Sequence, residues 1–431
     1  MVATTQEQTD RRSLKGRTIY IPQMAYAGAR LVAAVFRSYG IDARPAPDSD
    51  ARTLELGGQF ASGEECLPHK VTLGDFLKVC QSPGFDPAKA AFFMPTAHGP
   101  CRFGQYAPYL RRVLNEIGCG EALVLAPTSR NGYEEVGISG NDILRLGWLA
   151  VVVGDLALRF LLKTRPYELN AGDADAAFDA TVTDCERIFE KPGLSVNERL
   201  RQLVTAMERM RDRFRRIPAR YTKDRPLIGL VGEIFCRLNT FSNNDIARRI
   251  EQQGGECWIS DIAEWVWYVH RFQQYTVRRT QGPVNGTTLK LVIKTHIQRK
   301  YEHALTAPVE EDLKGYEEPH DVREVLELSR PYLPWEGSLG EMVLSVGKAI
   351  YLHGKGADGI IDISPFTCMN GIICEAVYPA VSAAHDNIPI RILYFDGIGA
   401  NVDRDVEIFL DLARAYSRQK KRQRVYPDYF E

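Results

Sequence analysis

Cysteine is the residue type in this 431-residue chain with the widest chemical reach, and there are nine of them. An odd number cannot pair completely into disulfides, and a chain of this size does not depend on such staples. Four cysteines fall in segments rich in turn-forming or polar residues: Cys66 in SGEECLPHK, Cys101 in PTAHGPC, Cys236 in GEIFC and Cys368 in PFTC. Pro95, Gly99 and Pro100 suit a fixed, non-regular backbone before Cys101. Helix N-termini carry positive partial charge and favour thiolate, the form that ligates metal, so cysteines at such places are candidate ligands. Cys80, Cys185 and Cys374 read as helical, Cys257 as part of a strand, and Cys119 as a turn residue between two glycines. All five read as small buried hydrophobes.

No local C-x-x-C run of the ferredoxin or zinc-ribbon kind is present, so any metal site has to be assembled by the fold. Spacing alone leaves two readings open, ligation and packed, inert thiols. His69 and His98 lie close to the candidates and are suited to donate hydrogen bonds or move protons, with loop packing as the alternative. Arg102 follows Cys101 and Arg237 follows Cys236, and each is suited to an anion or to a structural ion pair. Asn239, Asn243 and Asn244 offer polar donors, though Ser242 or Asn243 as a helix N-cap is the simpler account.

The elements that position these residues read as α/β. Arg17–Pro22 has the pattern of a strand, Ala25–Tyr39 that of a helix closed by Gly40, and Val71–Val79 that of another helix. Strands follow at Ala90–Met94 and Glu121–Leu125, and helices at Leu110–Ile117 and Asp142–Leu162. Residues 17–165 thus form an N-terminal α/β domain after a polar leader, 1–16. A helical connector spans 166–224, its pattern running from Asp173 to Arg216.

A second α/β domain, 225–431, has strands at Leu227–Val231, Cys257–Ile259, Gly359–Ser364 and Ile390–Phe395. Helices are predicted at Asn243–Gln253, Leu339–His353, Asn370–Ala384 and Asp403–Lys420, with a helical insertion around 262–335. In such sheets ligands collect beyond the carboxyl ends of the strands. Trp258, Trp265, Trp267 and Tyr268 resemble a stacking platform, but their helical spacing reads as core or interface. Gly354, Gly356 and Gly359 fit G-x-G-x-x-G but lie between a helix and a strand, the reverse of the dinucleotide-binding order, and read as a turn. The run RQKKRQR after the last helix reads as a solvated terminus.

Composition narrows the classes. With 45% hydrophobic and 25% charged residues the chain can bury a large core, and a net charge of -1 offers no long-range attraction for nucleic acid. No apolar run approaches the roughly 20 residues needed to cross a bilayer, and the N-terminus lacks the apolar centre of a signal peptide, so a cytoplasmic location without a membrane partner is expected. The sequence contains no P-loop, G-x-x-x-x-G-K-[ST].

The segments SGEECLPHK, PTAHGPCRFGQY, RNGYEEVG, RPYELNAG, GEIFCRLNTFSNNDIARRIEQQGGE and SPFTCMNG resemble, in this order, the CoA-substrate-specific enzyme activase-related family, which is similar to 2-hydroxyacyl-CoA dehydratase subunits. The blocks run from about Arg17 to Phe409. The resemblance implies two Rossmann-like, flavodoxin-like lobes with parallel sheets and a 4Fe-4S cluster in the cleft between them. It implies Cys66, Cys101 and Cys368 as ligands and leaves Cys236 as an open fourth, since the family block need not carry cysteine there. Three ligands leave one iron open, while four close the cluster.

It further implies an ATP-dependent activator with its own iron–sulfur cluster as electron donor, an acyl-CoA or other small molecule as substrate, and a larger or shared cluster in a homo- or hetero-oligomer as an alternative arrangement. The expected function is low-potential electron transfer to a substrate or partner enzyme, as a reductase or acyl-CoA dehydratase component. A non-catalytic, cluster-bearing scaffold or activator subunit is the second reading, and a structural zinc protein the third.

Overall fold

The computed structural model describes residues 14–97, 99–128, 140–282, 285–337, 340–397 and 401–431. Two compact units are present, residues 1–150 with 185–199 and residues 151–184 with 200–431. Each unit carries a four-stranded, wholly parallel sheet interleaved with helices. Most of the polar leader, 1–13, lies outside the described residues.

In the first unit β1 (Thr18–Ile21) leads into α1 (Tyr26–Arg37), whose inner face buries Leu31, Ala34 and Val35. The turn that follows closes at Gly40, where φ is +75°. Two elements that the sequence reading lacks come next, β2 (Ala43–Pro45) and α2 (Ala51–Phe60). β2 is only three residues and contains Arg44 and Pro45, which hides it. The pair Gly57-Gly58 looks like a helix breaker, since glycine costs about 1 kcal/mol in a helix.

Here those glycines are a contact surface. A Cβ on Gly57 would lie 2.1 Å from the Lys70 carbonyl oxygen, and one on Gly74 would lie 1.9 Å from that of Thr53. The bare backbones let α2 press against α3 (Leu67–Cys80). Asp50 and Thr53 form a capping box at the start of α2. Buried Asp75 of α3 accepts from Thr53 Oγ1 and Ser49 Oγ, both at 2.7 Å, and so locks the two helices in register. β3 (Ala90–Phe93), α4 (Tyr106–Glu116) and β4 (Leu123–Leu125) complete the sheet in the order β2-β1-β3-β4.

The helices α5 (Gly140–Thr164), α6 (Asp173–Glu190) and α7 (Val196–Arg215) each contribute residues to both units. The helical segment predicted over Asp173–Arg216 consists of two helices. Pro192 and Gly193, the latter at φ +74°, interrupt it.

The second sheet repeats the first in topology, with order β6-β5-β7-β8 built from β5 (Leu227–Gly232), β6 (Glu256–Ile259), β7 (Gly359–Pro365) and β8 (Ile390–Phe395). In both sheets the second strand lies on one side of the first and the third on the other. That reversal opens a crevice at the carboxyl ends of β1 and β3, and of β5 and β7, where α/β proteins bind ligands. Glycine is required at Gly232 on the edge of the second crevice: its φ is +112°, and a Cβ would fall 2.2 Å from the Ile363 carbonyl oxygen.

The remaining helices of this unit are α8 (Ile234–Leu238), α9 (Ile246–Gln252), α10 (Ile262–Gln281), α11 (Gly286–Thr306), α12 (Val322–Ser329), α13 (Met342–Gly354), α14 (Met369–Ala384) and α15 (Val402–Ser417). α9 starts later than the sequence pattern suggests, after Asn244 and Asp245 in left-handed backbone. Asp245 occupies the N-cap position without a side-chain cap, and Asn243 Oδ1 accepts the Ile246 N–H at 3.3 Å. Trp258 and Tyr268 are core residues as expected, and Trp265 and Trp267 pack partly buried against them. The Gly354–Gly359 segment is a turn between α13 and β7, with Gly356 at φ +88°.

The basic run at 418–424 is not the solvated terminus that its composition suggests. Lys420 pairs with Asp358 at 2.7 Å, and Arg424, 2% exposed at its side chain, forks onto fully buried Glu256 with two bonds of 2.8 Å. Tyr167 Oη also donates to Glu256 at 2.6 Å. A buried carboxylate needs such partners, and the chain returns to supply them.

Candidate metal centre

In the first unit Cys66 is the N-cap of α3, with Pro68 in the first turn where its missing N–H costs nothing. Its Sγ lies 2.8 Å from the hydroxyl of Tyr106, the first residue of α4. Cys101 caps the short 3-10 turn Arg102–Gln105, and its exposed Sγ accepts the Phe103 N–H at 3.5 Å. The Phe103 ring stands edge-on to Tyr106 with centroids 5.3 Å apart. Cys66 and Cys101 are thus brought to the same aromatic pair. His69 packs between Tyr106 and Tyr109, at centroid distances of 4.8 and 4.6 Å. Burial holds its imidazole down at about 4, so it is neutral, and its Nε2 has no partner among the described residues.

In the second unit Cys368 is the N-cap of α14 and follows Thr367, whose φ of +64° is a strained setting for a β-branched residue. Burial pushes the Cys368 thiol up to about 12, against the N–H groups of Gly371 and Asn370 that favour thiolate, and the charges of Glu233 and Glu341 add to the rise. The helix N-terminus alone predicts thiolate here. Burial outweighs it, and the free side chain is a thiol.

Cys236 is of another kind. It lies inside α8, fully buried, with its N–H bonded to Glu233 at 2.8 Å and its carbonyl accepting Asn243 Nδ2 at 2.9 Å. Its neighbour Arg237 is buried too and donates to the Gly232 carbonyl at 2.7 Å. That guanidinium serves the backbone at the end of β5. Asn239 Oδ1 accepts the Ser242 N–H at 2.8 Å, so the polar residues of RLNTFSNND hold the loop.

Three acidic residues enter this crevice that the sequence reading did not single out. Glu233 accepts the N–H groups of Phe235 and Cys236, and Glu341 accepts that of Ile234 at 2.8 Å, so two carboxyl groups share the N-terminus of one short helix. Burial raises both, and the Glu233 charge raises Glu341 further, well above the ordinary range. Asp362 on β7 accepts Tyr378 Oη at 2.6 Å and Ser364 Oγ at 2.8 Å and is likewise raised by burial. Asn370 Oδ1 is buried without a partner among the described residues. Glu233 and Glu341 lie 108 positions apart in sequence, and only the strand order reveals them as neighbours.

Cysteine thiolates are the residue type that ligates iron–sulfur clusters. Cys66, Cys101 and Cys368 share one backbone setting, with φ of -69°, -68° and -68° and ψ of 155°, 137° and 123°. Each begins a helical turn and has an N–H or O–H group within hydrogen-bond reach of its sulfur. Cys66 and Cys101 belong to the first unit and Cys368 to the second. Among the described residues no three His, Cys, Asp or Glu side chains form a group able to hold a metal ion. Cys80 and Cys119 face each other, and burial raises the Cys80 thiol; Cys185, Cys257 and Cys374 are buried.

Arg102 is exposed beside Cys101. His98 and the segment RNGYEEVG lie outside the described residues. Among the described residues no helix is long and apolar enough to cross a membrane. No protein-family model and no curated protein matches the chain.

Proposed function

We propose that this chain is an iron–sulfur protein in which Cys66, Cys101 and Cys368 ligate a 4Fe-4S cluster. The reading belongs to the 2-hydroxyacyl-CoA dehydratase and activase-related type. The observation that carries it is the common setting of these three thiols, each an N-cap with an N–H or O–H group within hydrogen-bond reach of its sulfur. Cys236 stands apart because its helix and its burial give it a packing role.

When bound, such a cluster supplies one-electron chemistry at low potential, with one iron free of a protein ligand. The chain's own residues supply the rest. The Tyr106 hydroxyl and the N–H groups of Phe103, Asn370 and Gly371 stabilise negative charge on sulfur. Burial raises the carboxyl groups of Glu233 and Glu341, whose charges act on Cys368, and so favours proton binding beside it. The electron comes from an ATP-dependent activator with its own cluster and passes to an acyl-CoA, another small molecule or a partner enzyme. The setting is the cytoplasm.

Anaerobic reconstitution tests this. About four iron and four sulfide per chain are expected, as a cluster of this type requires, with loss of both in Cys101→Ala. Protein that stays free of iron after reconstitution overturns the proposal.

A further inference from the structure

The helices α10 and α11, with the start of α12, wall a pocket of about 220 Å³ in the second unit. Gln274 Nε2 donates to Thr295 Oγ1 at 3.0 Å and ties the two long helices together at its side. Three arginines line the pocket, Arg271, Arg299 and Arg323, against one carboxylate, Asp321.

Asp321 is shared. Its Oδ2 receives Arg299 and Arg323, the latter at 2.9 Å, while its Oδ1 accepts the Arg323 N–H at 2.9 Å. One carboxylate between two guanidinium groups leaves one positive charge over. Arg271 makes no ion pair among the described residues, although the charges of Asp321 and Glu327 act on it; its guanidinium stands over the Trp335 ring at 5.6 Å. The Nε of Arg271 is buried without a partner.

Beside it His270, 9% exposed, has its Nδ1 buried without a partner as well. Burial, with the charge of Lys294, holds that ring down at about 3, so it is a neutral hydrogen-bonding group. Buried polar atoms without partners are costly, and these two belong to residues that line a pocket where three arginines face one carboxylate. Trp267 and Val292 form a less polar wall, with Arg299 5.7 Å above the Trp267 ring.

We infer that this pocket binds a phosphoryl dianion, either as free phosphate or as the phosphate of a small monoester. A phosphate carries about -1.5 to -2 charge at neutral pH and offers three strong acceptor oxygens, which suits a pocket lined by the guanidinium groups of Arg271, Arg299 and Arg323. The inference is independent of the cysteine site.

Calorimetric titration of the full chain with inorganic phosphate and with glycerol 3-phosphate is the test. Saturable binding is expected, weakening with added salt because Arg299 and Arg323 are 46% and 57% exposed at their side chains. Tighter binding of glycerol 3-phosphate assigns the pocket to phosphorylated metabolites, and tighter binding of inorganic phosphate assigns it to the free ion. Arg271→Met weakens binding by about tenfold or more, and Arg271→Lys by less, since it keeps the charge and loses the fork. Arg323→Gln, at an exposed position, gives the same direction without disturbing the core. Absence of saturable binding to both ligands, or wild-type affinity in both Arg271→Met and Arg323→Gln, overturns the inference.

Discussion

Cys66 Sγ and Tyr106 Oη lie 2.8 Å apart, joining the N-termini of α3 and α4. Through the Phe103 ring and N–H, the same tyrosine reaches the surroundings of Cys101. One phenol therefore touches one candidate ligand and packs against the residue that bonds the other.

Tyr106→Phe keeps the ring against His69 and Phe103 and removes only the hydroxyl. Iron and sulfide uptake should persist after reconstitution. The reduction potential should fall, because the hydroxyl stabilises the more negative, reduced state. With about 1 kcal/mol for such a bond, the change is on the order of 40 mV for one electron. Redox titration reads it, and an unchanged potential would remove Tyr106 from the donor set.

Cys236→Ala separates three ligands from four. Full burial inside α8 predicts iron content and a reduced-state electron paramagnetic resonance signal equal to those of the parent chain. The cost is stability alone, about 1 kcal/mol for the small cavity. Loss of iron in this variant would make Cys236 a ligand.

Asp75 gives a pH signature. Burial raises its carboxyl to about 6 from an ordinary 3.8, so the folded chain binds this proton more readily than the unfolded chain. Its contribution is fully present below the unfolded value and is lost as pH rises through the folded one. Asp75→Asn mimics the neutral form, and the Ser49 and Thr53 hydroxyls can still bond to it. Relative to the parent, the variant should gain about 1–3 kcal/mol between pH 4 and pH 7. Melting curves across that range check this, and a constant difference would count against it.

Arg424→Ala leaves the Glu256 carboxylate buried with two tyrosines and no cation bonded to it. A loss of about 3–5 kcal/mol is expected in urea unfolding. The double variant Glu256→Gln, Arg424→Met should recover much of it, since the charge that needs a partner is gone. Equal losses in the single and double variants would show that the packing of the tail, and not the ion pair, carries the stability.

What was legible in the sequence follows physical lines. β1, α1, β5 and β7 show clean apolar patterns and appear where expected. α3 begins at Leu67, four residues before the predicted start, because LPHK reads as loop until Pro68 is recognised as a first-turn residue. That shift turns Cys66 from a loop residue into an N-cap. Glu233, Glu341 and Asp362 carry no local signal, since their meeting depends on β5 lying beside β7. Arg424 was hidden in a run of like residues, where charge alone does not tell which side chain turns inward.

Glu256 and Arg424 are separated by 168 positions, and that distance is also a delay. At about 5–20 residues per second, a nascent chain waits roughly 8–34 s between making the carboxylate and making its cation. Until then β6 carries a charge that cannot be buried at neutral pH without penalty. β6 is an edge strand of its sheet, and the burial of its carboxylate is completed only once Arg424 has been made.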